Sequence, residues 1–277
     1  METSGFITLF LIITNFLFSY RGFKDHSFFL KYNFEVEQLL VYKDYKRFFT
    51  SGFLHVGWMH LIFNMLALYL LSPTVEAYLG SAEYILIYVA GLLGGNLFSL
   101  LIHKHDSTYS SVGASGAVFS IIFSSIALFP GMRIGLFFLP ISLPGWLFGL
   151  GYVIFSIYGI RSRSDNIGHD AHLGGGLTGM LVTILLHPSV LVNNFVTILI
   201  IAVPASVFII SIIKKPGALL IDNLYYKNNH NLTKEDKYNL RKRSKEEELD
   251  KVLEKIHKRG INSLSEKEKR VLQEYSK

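Results

Sequence analysis

Hydrophobic positions along this chain gather into blocks, and seven predominantly apolar segments can be drawn, at roughly 5–20, 58–79, 82–103, 113–129, 134–159, 170–187 and 190–213. Each is about as long as a helix must be to cross hydrocarbon, so each predicts a membrane-spanning helix. The breaks are chemical: Ser72-Pro73 and Gly80 around the second segment, Pro130-Gly131 after the fourth, Pro188 after the sixth. The start of the chain lacks a basic leader region and an A-x-A-like cleavage site, so 5–20 reads as a retained first span. Pro204 in the middle of the last segment permits a broken or re-entrant helix, but a full seventh span is the expectation.

Between the first two segments lies a long loop, 21–57. Its aromatics (Phe23, Phe28, Phe29, Tyr32, Phe34, Phe48, Phe49, Phe53) alternate with charges, the pattern of a segment lying in the membrane interface, with a loosely packed loop as the alternative. At the other end, 244–277 predicts two short soluble helices. Leu249, Val252, Leu253 and Ile256 form an apolar stripe, Gly260 stops the first helix, and Ser263-Leu264-Ser265-Glu266 offers a capping box for the second.

Composition sharpens this division. Half of the 277 residues are hydrophobic and the mean hydropathy is +0.35, more than a soluble domain of this length needs. Residues 214–277 hold 17 of the 27 Lys and Arg and 11 of the 21 Asp and Glu. The pI near 9.3 therefore describes mostly the tail. Lipid headgroups are the simpler partner for such juxtamembrane charge, and no nucleic acid is expected. The absence of cysteine excludes disulfides, thiol catalysis and Cys-ligated metal.

Segments two, four and six run in one direction across the bilayer, and each carries a polar cluster at its start: His60 to Asn64 ("HLIFN"), "GASG" around Ser115, and "HDAHLGGGLTG" with His172. Counting alone thus puts three clusters on one side at a similar depth. Polar groups there are expensive and face a cavity or one another. His60 and Asn64 lie one helical turn apart on one face. Gly175 and Gly179 follow His172 by three and seven residues and allow its helix to approach a neighbour closely, which Gly113 and Gly116 flanking Ser115 can provide. Interhelical glue would explain each cluster singly. Together they fill the roles of acyl transfer: a serine nucleophile, a histidine base, and an oxyanion site from Asn64, His60 and the Ser115 N–H at a helix N-terminus. Asp170 is expected to cap its helix rather than orient His172, so a dyad is predicted. The soluble G-x-S-x-G elbow is absent, since Ala117 stands at its last position.

This ordered set resembles the rhomboid intramembrane serine proteases: "HLIFN" on the second span, "GASG" for the family's G-x-S-G on the fourth, and "AHLGGGLTG" for its A-H-x-x-G-x-x-x-G on the sixth. The approach "RFFTSGFLHVGWMH" is similar too, with Arg47 at the loop's characteristic arginine and Lys46 in place of its usual Trp partner. The resemblance covers about 42–187. It implies Ser115 as nucleophile, His172 as base, His60 and Asn64 in the oxyanion hole, Phe119 as the aromatic that packs on the histidine, and Glu76 as the glutamate ending the second span. It also implies hydrolysis of a peptide bond in or near the transmembrane helix of single-span or multi-span substrates, without metal or cofactor. Water would enter from the extracytoplasmic side, and the fifth segment would act as lateral gate.

The expected fold is therefore an all-α polytopic membrane protein: a rhomboid-like six-helix core, an extra C-terminal span and a short helical soluble tail. The boundaries are 1–213 for the membrane domain (core 42–187, seventh span 190–213) and 214–277 for the tail, whose partner the sequence does not name. A bacterial plasma membrane is the expected location. Charge counting points the other way on orientation, because Arg21, Lys24, Lys31, Lys43, Lys46, Arg47, Lys104, Arg161 and Arg163 fall on the active-site face against Arg133 alone opposite. Two other classes stay open: a catalytically inactive rhomboid-like binder of transmembrane clients, and a small-solute transporter using His60, Asn64 and His172 as a polar path. The first usually loses its serine or histidine, and the second needs more polar groups than segments three and seven offer.

Overall fold

A computed structural model describes residues 5–135, 141–162, 165 and 167–214, together with 252, 255, 256, 264, 265 and 272. The tail helices expected at 244–277 lie outside the described residues apart from those isolated positions. The chain divides into two compact units, Met1–Asn228 and Asn229–Lys277. The first is a helical membrane protein.

Its elements follow in order as α1 (Phe6–Lys24), α2 (His26–Tyr32), β1 (Phe34–Glu35), α3 (Val36–Leu40), α4 (Arg47–Thr50), α5 (Trp58–Leu79), α6 (Ser81–His103), β2 (Ser110–Ser111), α7 (Ser115–Leu128), β3 (Arg133–Gly135), β4 (Ser142–Pro144), α8 (Gly145–Ser162), α9 (His169–Leu186), α10 (Ser189–Asn193) and α11 (Phe195–Lys214). Among the described residues α1, α5, α6 and α11 are long and apolar enough to cross a membrane, and α7 is a shorter apolar helix. The most extensive packing joins α6, α7 and α9. Helix α7 is the centre of that core, with nearly every residue from Gly116 to Leu128 buried. At 1.5 Å per residue its 14 residues span about 21 Å, less than the hydrocarbon thickness. Its neighbours make this tolerable, because the non-helical chain at its start is enclosed by protein rather than lipid.

Gly80 behaves as its chemistry dictates, whereas α5 runs unbroken through Ser72-Pro73. Gly80, at φ 77°, ends α5 and begins α6 in a single residue, its N–H donating to the Glu76 carbonyl at 2.9 Å. Pro144 biases the residue before it toward extended backbone, and a helix starts directly after it. The apolar segment expected as one helix from 134 is thus divided: Arg133–Gly135 pairs antiparallel with Ser142–Pro144, and helix begins only at Gly145. In the last segment the helix runs unbroken through Pro204, preceded by the short α10.

The loop at 21–57 is neither open nor loose. Helix α1 continues to Lys24, and the remainder folds into three short helices, a strand and a 3-10 turn at Ser51–Phe53. Phe34, Val36, Leu39, Phe53 and Leu54 are buried. Strand β1 pairs with β2, Phe34 opposite Ser111 and Glu35 opposite Ser110, which ties the loop to the chain leading into Ser115.

Candidate active site

Ser115 is the first residue of α7, and the chain before it is held from two sides. Gly113 N–H donates to the Ser51 carbonyl at 3.0 Å, and Ala114 N–H points to His55 Nε2 at 3.5 Å. Gly113 has φ 138°, where a side chain is strained, and a Cβ there would sit 2.8 Å from His60 Cε1, 2.9 Å from His60 Nε2 and 3.6 Å from Ser115 Oγ. Glycine at 113 is therefore what lets the His60 ring and the Ser115 hydroxyl share one small space. On the other side, a Cβ on Gly175 would run into the backbone of Gly116, lying 2.7 Å from its carbonyl carbon. One on Gly179 would meet the Ser120 backbone, at 2.6 Å from its Cα. Gly175 and Gly179 thus press α9 directly onto the first two turns of the serine helix.

His172 lies in the first turn of α9 and is 8% exposed. Phe119, one turn after Ser115, stacks on its ring at 4.7 Å between centroids. Nδ1 of His172 is 2.6 Å from the Tyr152 hydroxyl on α8. Phe119 also stacks on Tyr152, at 4.1 Å, so one ring braces both. Further along the same face of α8, Phe155 meets His169 edge-on at 4.8 Å, and Gly159 leaves room for the His169 ring. His169 Nε2 faces Asp165 at 3.1 Å.

Asp170 corrects one expectation. The helix N-cap is Gly168, with no side-chain cap bond, so Asp170 does not fill that position. Its buried carboxylate accepts from the Tyr109 hydroxyl at 3.2 Å and lies 3.2 Å from His103 Nε2. The reason is proximity: α6 ends beside the start of α9, and stacked His103 and Tyr109 present two donors there.

His60 and Asn64 share a face of α5, and the buried Asn64 amide donates one hydrogen to the His60 carbonyl at 3.0 Å, leaving its second free. His55 packs edge-on against His60 at 4.8 Å. The Ser19 hydroxyl donates to the Phe53 carbonyl at 2.9 Å, so it accepts from His55 Nδ1–H at 2.8 Å, and His55 Nε2 keeps the lone pair that faces Ala114. Burial, and then the neighbouring His60, hold the His55 pKa well below the ordinary imidazole value, in keeping with this neutral ring.

Two supporting residues are anchored more remotely. The Arg47 guanidinium is buried and donates to the Leu30 and Asn33 carbonyls (2.9 and 2.8 Å), Asn33 Oδ1 (2.7 Å) and Asp44 Oδ2 (3.1 Å). These bonds hold the loop without a Trp at position 46, where Lys46 instead pairs with Asp44 at 3.3 Å. The Glu76 carboxyl oxygens accept from Ile7 N–H and Thr8 N–H, both at 3.0 Å, and from the Thr8 hydroxyl at 2.7 Å. Glu76 thus caps α1 from another helix, satisfying N–H groups that no turn of α1 can reach.

Sequence reasoning missed Tyr152 and His55. Tyr152 sits in an apolar run with nothing local to mark it. His55 was in view, five residues before His60, but no periodicity joins a loop residue to a helix. Among the described residues no group of His, Asp and Glu side chains is arranged to hold a metal ion.

A buried imidazole on one helix, a serine at the start of the helix pressed against it and enclosing apolar helices place polar groups inside the helical core of a membrane protein. The family model for the Rhomboid domain matches residues 42–189, and a second model, a family of unknown function (DUF6576), matches 232–277. The chain belongs to the rhomboid family. It is similar to Rhomboid protein 1, mitochondrial, of Saccharomyces cerevisiae, at 32% identity over 157 residues, 54% of this chain and 45% of the relative. RHOMBOID-like protein 11, chloroplastic, of Arabidopsis thaliana is 29% identical over 191 residues, 65% of this chain and 62% of the relative. Rhomboid protease GluP of Bacillus subtilis is 31% identical over 143 residues, 51% of this chain and 26% of the relative. The chain thus spans less than half of the yeast relative's length and about a quarter of GluP's. The yeast and Arabidopsis relatives are named as mitochondrial and chloroplastic, so the expected bacterial plasma membrane is not supported. An integral membrane protein is what stands.

Proposed function

We propose that this chain is an intramembrane serine endopeptidase that hydrolyses a peptide bond in or near the transmembrane helix of a membrane-protein substrate. The observation that carries this is the close contact of α7 and α9: Gly116 against Gly175, with Phe119 stacked on His172 one turn from Ser115. Family membership and a protease-named relative support the same reading.

In this mechanism His172 takes the proton of Ser115 as its oxygen attacks the scissile carbonyl. The oxyanion is met by the Ser115 N–H, the His60 ring and the free Asn64 amide hydrogen, at the positive end of α7. The tetrahedral intermediate collapses, His172 passes its proton to the leaving amine, and water then hydrolyses the acyl-enzyme by the same steps in reverse roles. The site opens to the extracytoplasmic side, and α8 with its preceding hairpin admits the substrate laterally. The protease occupies 1–213, and 214–277 is an appended module.

Ser115→Ala and His172→Ala are each expected to abolish cleavage of a single-span model substrate while protein levels stay normal. Covalent labelling of the native chain, but not of Ser115→Ala, by a fluorophosphonate is expected alongside. Cleavage persisting in either variant would refute the dyad.

A further inference from the structure

We infer that Tyr152 is a positioning residue for His172: its hydroxyl oxygen accepts the Nδ1–H and fixes the imidazole in the tautomer whose Nε2 can take the serine proton. This role rests on the protease reading proposed above.

The separation of 2.6 Å is a short hydrogen bond, and it can run in either direction. If the phenol donated to Nδ1, the neutral ring would carry its hydrogen on Nε2 and could not act as a base toward Ser115. What decides is the phenol's own hydrogen. Ser156, one turn further along α8, is fully buried and lies beside the Tyr152 hydroxyl. The buried Ser156 hydroxyl makes no hydrogen bond of its own. Turning the phenol O–H toward Ser156 would satisfy that orphaned hydroxyl and leave the phenol oxygen to accept from His172 Nδ1–H. The order His172 Nδ1–H to Tyr152 to Ser156 is the one that leaves His172 Nε2 free for the serine proton.

The carboxylates nearby are engaged elsewhere, Asp170 with His103 and Tyr109 and Asp165 with His169. Phe119 stacks on both Tyr152 and His172 and holds their rings in register. A neutral phenol oxygen here performs the orienting duty that a carboxylate performs in Ser-His-Asp enzymes, without the full charge. Because it comes from α8, a displacement of that helix from α9 also removes the orientation of the base.

The test uses the full chain reconstituted with a single-span model substrate. Tyr152→Phe keeps the ring stack and removes only the hydroxyl. Its kcat is expected to fall by about 10- to 100-fold, less than the roughly 10⁴-fold cost of losing a carboxylate partner. KM is expected to stay within about twofold, and fluorophosphonate labelling of Ser115 to slow by the same factor as kcat. Ser156→Ala is expected to slow cleavage by a smaller factor, about two- to fivefold, and to add nothing in the Tyr152→Phe background, the signature of two groups acting in one chain. A Tyr152→Phe enzyme with native kcat, while Ser115→Ala is inactive, overturns the role of Tyr152 and leaves the protease reading intact. So do Tyr152→Phe and Ser156→Ala effects that multiply independently. If Tyr152→Phe does not accumulate, native kcat in Ser156→Ala overturns the role. Cleavage by Ser115→Ala overturns the protease reading itself.

Discussion

On the proposed dyad, Gly175→Ala probes how the contact between two helices sets the distance between serine and base. The added Cβ would lie 2.7 Å from the Gly116 carbonyl carbon and 2.8 Å from its Cα. Carbon atoms rest at about 3.5–4.0 Å, so α9 has to retreat from α7 by about 1 Å. The atoms in the way are backbone, which cannot swing aside. Ser115 directly precedes Gly116 and His172 lies three residues before Gly175, so the gap opens between the two residues of the proposed dyad. A hydrogen bond of about 2.8 Å lengthened by that amount is no longer one. Cleavage is expected to fall by about 10²-fold. Overpacking of this kind costs about 1–3 kcal/mol. Initial rates and Tm measured in the same detergent separate the two effects, each kcal/mol lowering Tm by about 2–4 °C. Gly151→Ala is the control: nothing lies within 4 Å of its added Cβ, and alanine in helix is favourable by up to about 1 kcal/mol. If Gly175→Ala cleaves within about threefold of the native rate, helix contact does not set this geometry.

Glu76→Ala leaves two N–H groups and a hydroxyl at the start of α1 without their acceptor, and a loss of about 3–5 kcal/mol is expected from three bonds at 1–3 kcal/mol each, partly recovered by water. Thermal unfolding checks it, and a Tm change under about 2 °C would show that α1 is held some other way. The pH dependence of stability follows from His55, whose folded pKa is depressed. The unfolded chain binds the extra proton below about 6.5, so this contribution is intact above that pH and is lost progressively as pH falls toward the lower folded value. Tm recorded from pH 7.5 to 5 is expected to decline more steeply in the native chain than in His55→Gln, and equal slopes would refute it.

The apolar blocks are long enough to locate every major helix, and parity groups the starts of the second, fourth and sixth segments. Glycine spacing after His172 named the contact with the serine helix, since small residues at three and seven positions have few other uses beside a polar residue. Besides His55, three features escaped for physical reasons. The apolar run from 134 hid a hairpin, because a strand ladder and a buried helix can share the same composition. Asp170 was given a local partner by its place near a helix start, whereas His103 and Tyr109 reach it only through tertiary packing. Tyr152 gained its meaning from which face of α8 meets α9, and an all-round apolar helix does not disclose its face.

The brevity of α7 bears on how the molecule is made. A 14-residue helix is a poor candidate to partition into a bilayer by itself, whereas α6, with 23 residues, is a strong one. The serine helix must therefore be delivered in company, as the second arm of a hairpin led by α6 and then enclosed by α9. Polar substitutions on the exposed side of α6, at Leu93, Leu97 or Leu101, would on this logic reduce the yield of assembled protein without altering the site of the molecules that do assemble.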